Sequence, residues 1–241
     1  GNDLEFSDGN DVTGFGNELD SSDGNNVSGA LNDVVDSDVN DVSGFANDVF
    51  GSDANTVGGA FNEVIDSDAN TVGGAFNDVM DGSDANTVGG FANDVVGESD
   101  NNTVGGAFNA VEDDSDNNNV SGFGNDVTDS DNNSVTGDDN FILDSINNQV
   151  GGSENTLDDA FNNTVSGDGN VLEDESDNNT VSGSNNALDE SSDNSVSGAN
   201  NTLEDSQRND VSGANNDLIS SNNNDVSGNQ NTLENSNRND V

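Results

Sequence analysis

Carboxylates dominate the chemistry open to this sequence, and they recur at a fixed spacing. The motif Ser-Asp-x-Asn carries them: Ser37-Asp38-Val39-Asn40 is followed in the same context by Asp53, Asp68, Asp84, Asp100, Asp116, Asp131 and Asp177. Clustered carboxylate and amide oxygens are the ligands that suit calcium, so these Asp are the candidate ligands for a divalent cation. The Gly-Gly-x-Gly-x-Asp-x-apolar calcium repeat is absent, and the competing reading is a solvated acidic edge that keeps neighbouring chains apart. Catalysis has little to draw on. The chain contains no His, Cys or Lys, so general-base and nucleophile roles would fall to Asp, Glu or Ser alone. A Ser-Asp pair repeated along the chain defines a column and not a catalytic centre. Gly-Gly pairs such as Gly73-Gly74 are followed by no basic group that could hold a phosphate. The expectation is a protein that is not an enzyme and has no cofactor beyond calcium.

Charge narrows the partners. Fifty acidic residues stand against two basic ones, Arg208 and Arg238, for a formal charge of −48. Phosphate backbones and anionic membranes need Lys and Arg, so neither nucleic acid nor an anionic membrane surface is an expected partner. No apolar run is long enough to cross a bilayer. Cations are the natural company.

The elements that must position these groups follow from a second pattern. At 28% apolar residues the composition would suit a disordered chain, but the apolar residues are not scattered. The triplet Asn-x-(Val/Leu/Ile) occurs 32 times, from Asn2-Asp3-Leu4 to Asn239-Asp240-Val241, with none missing. Paired triplets make a unit of 15 residues. Four units have 16, those starting at Asn70, Asn86, Asn102 and Asn163. Four positions after the first Asn stands a Gly (Gly14, Gly29, Gly44 and onward to Gly228), the mark of a turn that needs positive φ or close approach. Such short strands cannot form a sheet within one unit, but stacked units can.

The predicted fold is therefore all-β: a β-solenoid, or two-sided β-roll, of about 16 coils with short parallel strands in register. Period-two alternation turns the Asn and the aliphatic residue of each triplet inward, as amide ladders and a thin Val/Leu core. Gly and Asn throughout argue against a helix. Residues 1–241 are expected to form one continuous repeat domain without caps, Phe-rich in its turns over 1–137 and polar there over 138–241. Both end coils would be open, since the first triplet belongs to the second side and the last to the first side. Stacked at about 4.8 Å, the coils would carry roughly one charge per 1.6 Å, close to the roughly 1.7 Å of duplex DNA.

The outward residues differ between the two sides. The first side includes Thr56, Thr71, Thr87, Thr103, Thr164 and Thr180, beside a column of Ser, Thr and Gly. The second side begins with the acidic run Glu18, Asp33, Asp48, Glu63, Asp78 and Asp94, next to an apolar column of Val35, Phe50, Ile65, Met80 and Val96. That apolar column is the candidate self-association surface. The turn after each Gly adds Phe15, Leu31, Phe45, Phe61, Phe76, Phe91, Phe108 and Phe123. Two readings are open for these rings: they fold over the coil edges to cap the core, or they form an exposed stripe for a lateral contact.

Asn-x-Val-x-Gly-x-x-Asn-x-Val, as in Asn55-Thr56-Val57-Gly58-Gly59 and Asn209-Asp210-Val211-Ser212-Gly213, resembles the repeat of the grass ice-recrystallisation-inhibition and antifreeze proteins. The resemblance covers essentially the whole chain. It implies a two-sided β-roll with inward Asn and Val, and a flat outer face that binds ice, which here would be the Thr56, Thr71, Thr87, Thr103, Thr164 and Thr180 column. Three function classes are thus in view. The first is an extracellular or cell-surface structural filament that assembles from copies of itself with associated cations. The second is an ice-binding protein, and the third is the stalk of a large surface adhesin.

Overall fold

The computed structural model covers residues 1–241, and its 31 strands are at most five residues long, with no helix. The chain forms two compact units, Gly1–Gly124 and Asn125–Val241, and each is a parallel β-solenoid. A coil contributes one five-residue strand, such as Thr56–Ala60, and one shorter strand, such as Glu63–Ile65. Within each unit the two kinds never pair with each other: long strands join long strands in one sheet, short strands join short strands in a second.

Register is kept residue for residue. In the first unit Val57 pairs with Val72 and Val72 with Val88, while Val64 pairs with Val79 and Val79 with Val95. In the second unit Val150 pairs with Val165 and Leu157 with Leu172. The 16-residue coils do not disturb this, because the extra residue never enters a strand. It lies in the turn between the short strand and the buried Ser, where Asp81-Gly82 precedes Ser83 but Asp66 alone precedes Ser67.

The inward positions are those the triplet specified. Val57 and Val64 are fully buried, and Asn55 and Asn62 nearly so. The asparagines form two ladders of different geometry. In the ladder that enters the short strand, Asn77 N–H and Asn77 Nδ2 both donate to Asn62 Oδ1, at 3.1 and 3.0 Å. The same Nδ2 donates to Gly73 O at 3.0 Å. In the ladder that enters the long strand, Asn55 N–H donates to Asn40 Oδ1 at 2.7 Å, while Asn55 Nδ2 turns across the coil to Ser67 O at 3.0 Å. Asn70 Nδ2, at the start of the first 16-residue coil, is the one buried amide nitrogen with no acceptor.

A third inward ladder is made of serine, which the triplet did not announce. Ser37, Ser52 and Ser67 are fully buried. Ser52 N–H donates to Ser37 Oγ at 2.9 Å, and Ser52 Oγ donates to Phe50 O at 2.8 Å.

The corners are held by left-handed backbone. In the coil from Asn55, positive φ occurs at Gly59 (110°), Phe61 (58°), Asp66 (49°) and Ala69 (60°). Of these only Gly59 has to be Gly. A Cβ there would fall onto the carbonyl oxygen of Gly74 in the next coil. At the other corners an L-residue in this conformation costs about 1–2 kcal/mol. Each of these residues donates its N–H to the preceding coil: Phe61 to Phe45 O, Asp66 to Phe50 O and Ala69 to Asp53 O, at 2.9–3.0 Å.

Two substitutions test these assignments. Gly74→Ala would drive its Cβ into Gly90 O and is expected to destabilise the fold by ~3 kcal/mol or more. Asn62→Ala strips Asn77 N–H and Nδ2 of their shared acceptor and is expected to cost roughly 2–4 kcal/mol. Urea melts followed by circular dichroism give both values. A change below about 1 kcal/mol for either variant would contradict the ladder assignment.

Candidate functional site

The candidate sites read from the sequence are columns repeated along the coils. The Ser-Asp corner places Asp38, Asp53, Asp68, Asp84, Asp100 and Asp116 in single file. Each of these carboxylates takes up a backbone donor: Asp38 N–H donates to Asp53 Oδ1 at 2.7 Å, Asp53 N–H to Asp68 Oδ1 at 2.6 Å, and Asp100 N–H to Asp116 Oδ1 at 2.7 Å. In the second unit Asp177 Oδ1 accepts the Phe161 N–H at 2.9 Å, and Asp131 occupies the same corner. One oxygen of the carboxylate is thus part of the coil-to-coil bonding. No group of three or more acidic side chains converges on a point where one metal ion would be held.

Carboxylates also line concavities where the coils lengthen. Asp81-Gly82, Gly97-Glu98 and Asp113-Asp114 hold the extra residue of three successive coils. Beside them a concavity of about 640 Å³ is lined by Asp66, Asp81, Glu98, Asp100, Asp114 and Asp116. The fourth 16-residue coil, with Asp174-Glu175, borders a smaller one of about 370 Å³ lined by Asp159, Asp174, Glu175 and Glu190. There the Glu190 carboxyl is raised above its ordinary value, first by its hydrogen bond to Asp205 and then by that carboxylate's charge.

The outer face of the short strands in Gly1–Gly124 combines acid and hydrocarbon. Asp33 pairs with Asp48, Asp48 with Glu63, Glu63 with Asp78 and Asp78 with Asp94, so like charges lie directly beside one another. Two residues along each strand, Val35, Phe50, Ile65 and Met80 form a second aligned column. A hollow of about 230 Å³ is lined by Asp33, Val35, Asp48, Phe50, Glu63 and Ile65. Burial raises the carboxyls of Asp33, Asp48 and Asp94 above the ordinary value. Asp78 is pushed up to about 6, by burial first and then by repulsion from Asp94 and Glu63. Asp33 Oδ1 is buried and accepts no hydrogen bond.

The Phe residues occupy the turn that precedes this strand. Phe45, Phe61, Phe76, Phe91, Phe108 and Phe123 are each 44–52% exposed, so the rings are half outside the solenoid. They pack on one another. Phe61 and Phe76, at the same corner position, stack at 4.9 Å and 10°. Where the position alternates, the rings meet edge to face at 5.3–5.5 Å, as Phe45 does with Phe61 and Phe108 with Phe123. On the opposite sheet Thr56, Thr71, Thr87 and Thr103 form an exposed column in register, with Gly58, Gly73, Gly89 and Gly105 as the column beside it. In the second unit Thr164 pairs with Thr180.

No protein-family model matches the chain, and comparison with curated proteins finds no match. The parallel β-solenoid with asparagine ladders agrees with the fold that the grass repeat implied.

These columns follow the sequence spacing, except that Val96 falls just past its strand, Asp94–Val95, and is not paired with Met80. The spacing did not reveal that the corner Asp bonds backbone, that Ser is buried, or where the sixteenth residue goes. The last was open to inspection, since Ser shifts from the twelfth to the thirteenth place after Asn in each long unit.

Asp78 gives a pH dependence with a definite sign. Its folded value of about 6 lies above the ordinary 3.8, so its contribution to stability is complete below about 4 and is lost as pH rises through about 6. The melting temperature is expected to rise as pH falls from neutral to 5, and Asp78→Asn should remove part of that rise. A pH profile identical in the variant would rule out this carboxyl as a source.

Proposed function

We propose that this chain is a non-enzymatic structural protein of the cell exterior, whose copies stack coil on coil into filaments sheathed by cations. The observation that supports it is the sameness of the coil-to-coil contact. Between the coils of Val57 and Val72 the contact consists of strand pairing, two Asn ladders, a Ser ladder and an Asp-to-backbone bond. The next contact repeats it. Any coil face without a neighbour therefore offers the groups that its own repeat would satisfy. Such a contact between copies is head to tail and does not close, so it propagates. An unpaired strand edge promotes the same outcome. The acid columns require countercations, and the two carboxylate-lined concavities are where these would concentrate.

Negative-stain microscopy of the purified chain tests this. Filaments much longer than one molecule are expected in millimolar calcium or magnesium, and they should shorten when a chelator is added at low salt. Discrete single-molecule particles at every protein and salt concentration would end the proposal.

The in-register threonine column Thr56, Thr71, Thr87 and Thr103 favours a second reading, ice binding. If it holds, the chain suppresses ice recrystallisation, and Thr71→Lys with Thr103→Lys abolishes that suppression while the far-ultraviolet spectrum is unchanged. An inactive parent chain would remove this reading.

A further inference from the structure

The outer face of the short strands in Gly1–Gly124 has more built into it than a filament requires. A solvated acidic edge would place its carboxylates among polar neighbours. Here the column through Asp33, Asp48, Asp78 and Asp94 runs beside hydrocarbon, at Val35, Phe50, Ile65 and Met80. The hollow between them is shared by both kinds of side chain. From this juxtaposition we propose that the face docks a Lys/Arg-rich amphipathic segment of another protein, its cations on the acid column and its apolar side chains on the Val35–Phe50–Ile65–Met80 column.

Three observations identify this occupant. First, a hydrated metal ion would neutralise the acids but has no use for the hydrocarbon beside them. Second, a second copy of this chain supplies no complement. It has no Lys, and its two Arg, Arg208 and Arg238, lie outside Gly1–Gly124. Two such faces would set acid against acid. Third, Asp33 Oδ1 is a buried acceptor with no donor, and partial burial raises the carboxyls of Asp33 and Asp78. Part of the desolvation that docking demands is thus met by the fold at Asp33 and Asp78, and an arriving ammonium or guanidinium relieves the repulsion among carboxylates held side by side. The exposed Phe rings at the preceding turn add faces on which such cations are attracted. This inference is independent of whether the coils assemble end to end.

The test uses the intact chain and two synthetic peptides, one alternating lysine with valine, the other alternating lysine with serine. Calorimetry at physiological salt is expected to show the valine peptide binding at least about tenfold more tightly. At pH 6 its binding should release protons, visible as a dependence of the heat on the buffer, because a cation beside Asp78 favours the ionised form. The triple variant Asp48→Asn, Asp78→Asn, Asp94→Asn should weaken binding about tenfold, while the equal-charge control Asp189→Asn, Glu204→Gln, Glu234→Gln stays within about twofold. Equal affinity for the two peptides, or equal loss in the control, would mean generic polyelectrolyte attraction and overturn the proposal. So would sedimentation showing copies that pair through this face and separate on Phe50→Asp with Ile65→Asp. If the triple variant fails to fold, the comparison of the two peptides decides alone.

Discussion

A buried amide needs hydrogen bonds, and in so thin a solenoid its Oδ1 finds its donor in the neighbouring coil, as Asn62 does in Asn77. Two inward Asn and one inward Ser share the interior of a typical coil with two aliphatic side chains, so polar groups line most of it. An asparagine suits the position because its Oδ1 accepts and its Nδ2 donates along the same axis, as in the chain Asn47, Asn62, Asn77. Aspartate would offer only acceptors, and leucine would leave the N–H of the next coil without a partner. The two aliphatics add about 1.5–3 kcal/mol each, and they are placed where the ladders leave room. A coil therefore has no stability of its own, and the unit of folding is a stack.

The same dependence sets the corners. A turn tight enough to join such short strands needs left-handed backbone several times per coil, and most of those positions are not glycine. Phe61, Phe76 and Phe108 hold φ near +60° with a bulky side chain, a placement that costs about 1–2 kcal/mol. Their N–H groups bond the coil before, and their rings meet neighbours at 4.9–5.5 Å, contacts worth about 0.5–1.5 kcal/mol each. Glycine is required at the corner where a Cβ has no space, as at Gly59 against Gly74, whereas at other corners it alternates with L-residues, as Gly51 does with Asp66.

How much of this could be read in advance depends on whether a residue type betrays its direction. Val57 and Asn55 did, because period-two alternation admits one inward set. Phe61 did not: its place after Gly59 and Ala60 fixed the turn but not whether the ring closed the core or stood outside it. Ser52 was misleading in another way, since a serine beside an aspartate in a turn reads as solvated, yet it is fully buried. Asp53 looked free to bind cations because sequence cannot show a backbone N–H aimed at its carboxylate. The candidate columns were legible as spacings, and their chemistry was not. Burial and repulsion at Asp78 arise from residues one coil above and below, some 15 or 16 positions away.

Hydrogen-bond ladders and charge columns are fixed by one and the same stacking. Slipping the register by one residue would separate Asp33 from Asp48, but it would also turn Val34 to solvent and its neighbours inward. The chain cannot relieve its repulsion by moving, so it must do so where each charge stands. At the corner, Asp53 and Asp68 each accept a backbone N–H from the coil before, which offsets part of the charge with a fixed dipole. On the face of the short strands no such donor reaches Asp33 Oδ1, and proton uptake or an external cation is what remains. The short-strand face is thus where stacking leaves electrostatic demand unmet, and an aliphatic column, Val35, Phe50, Ile65 and Met80, runs in register beside it.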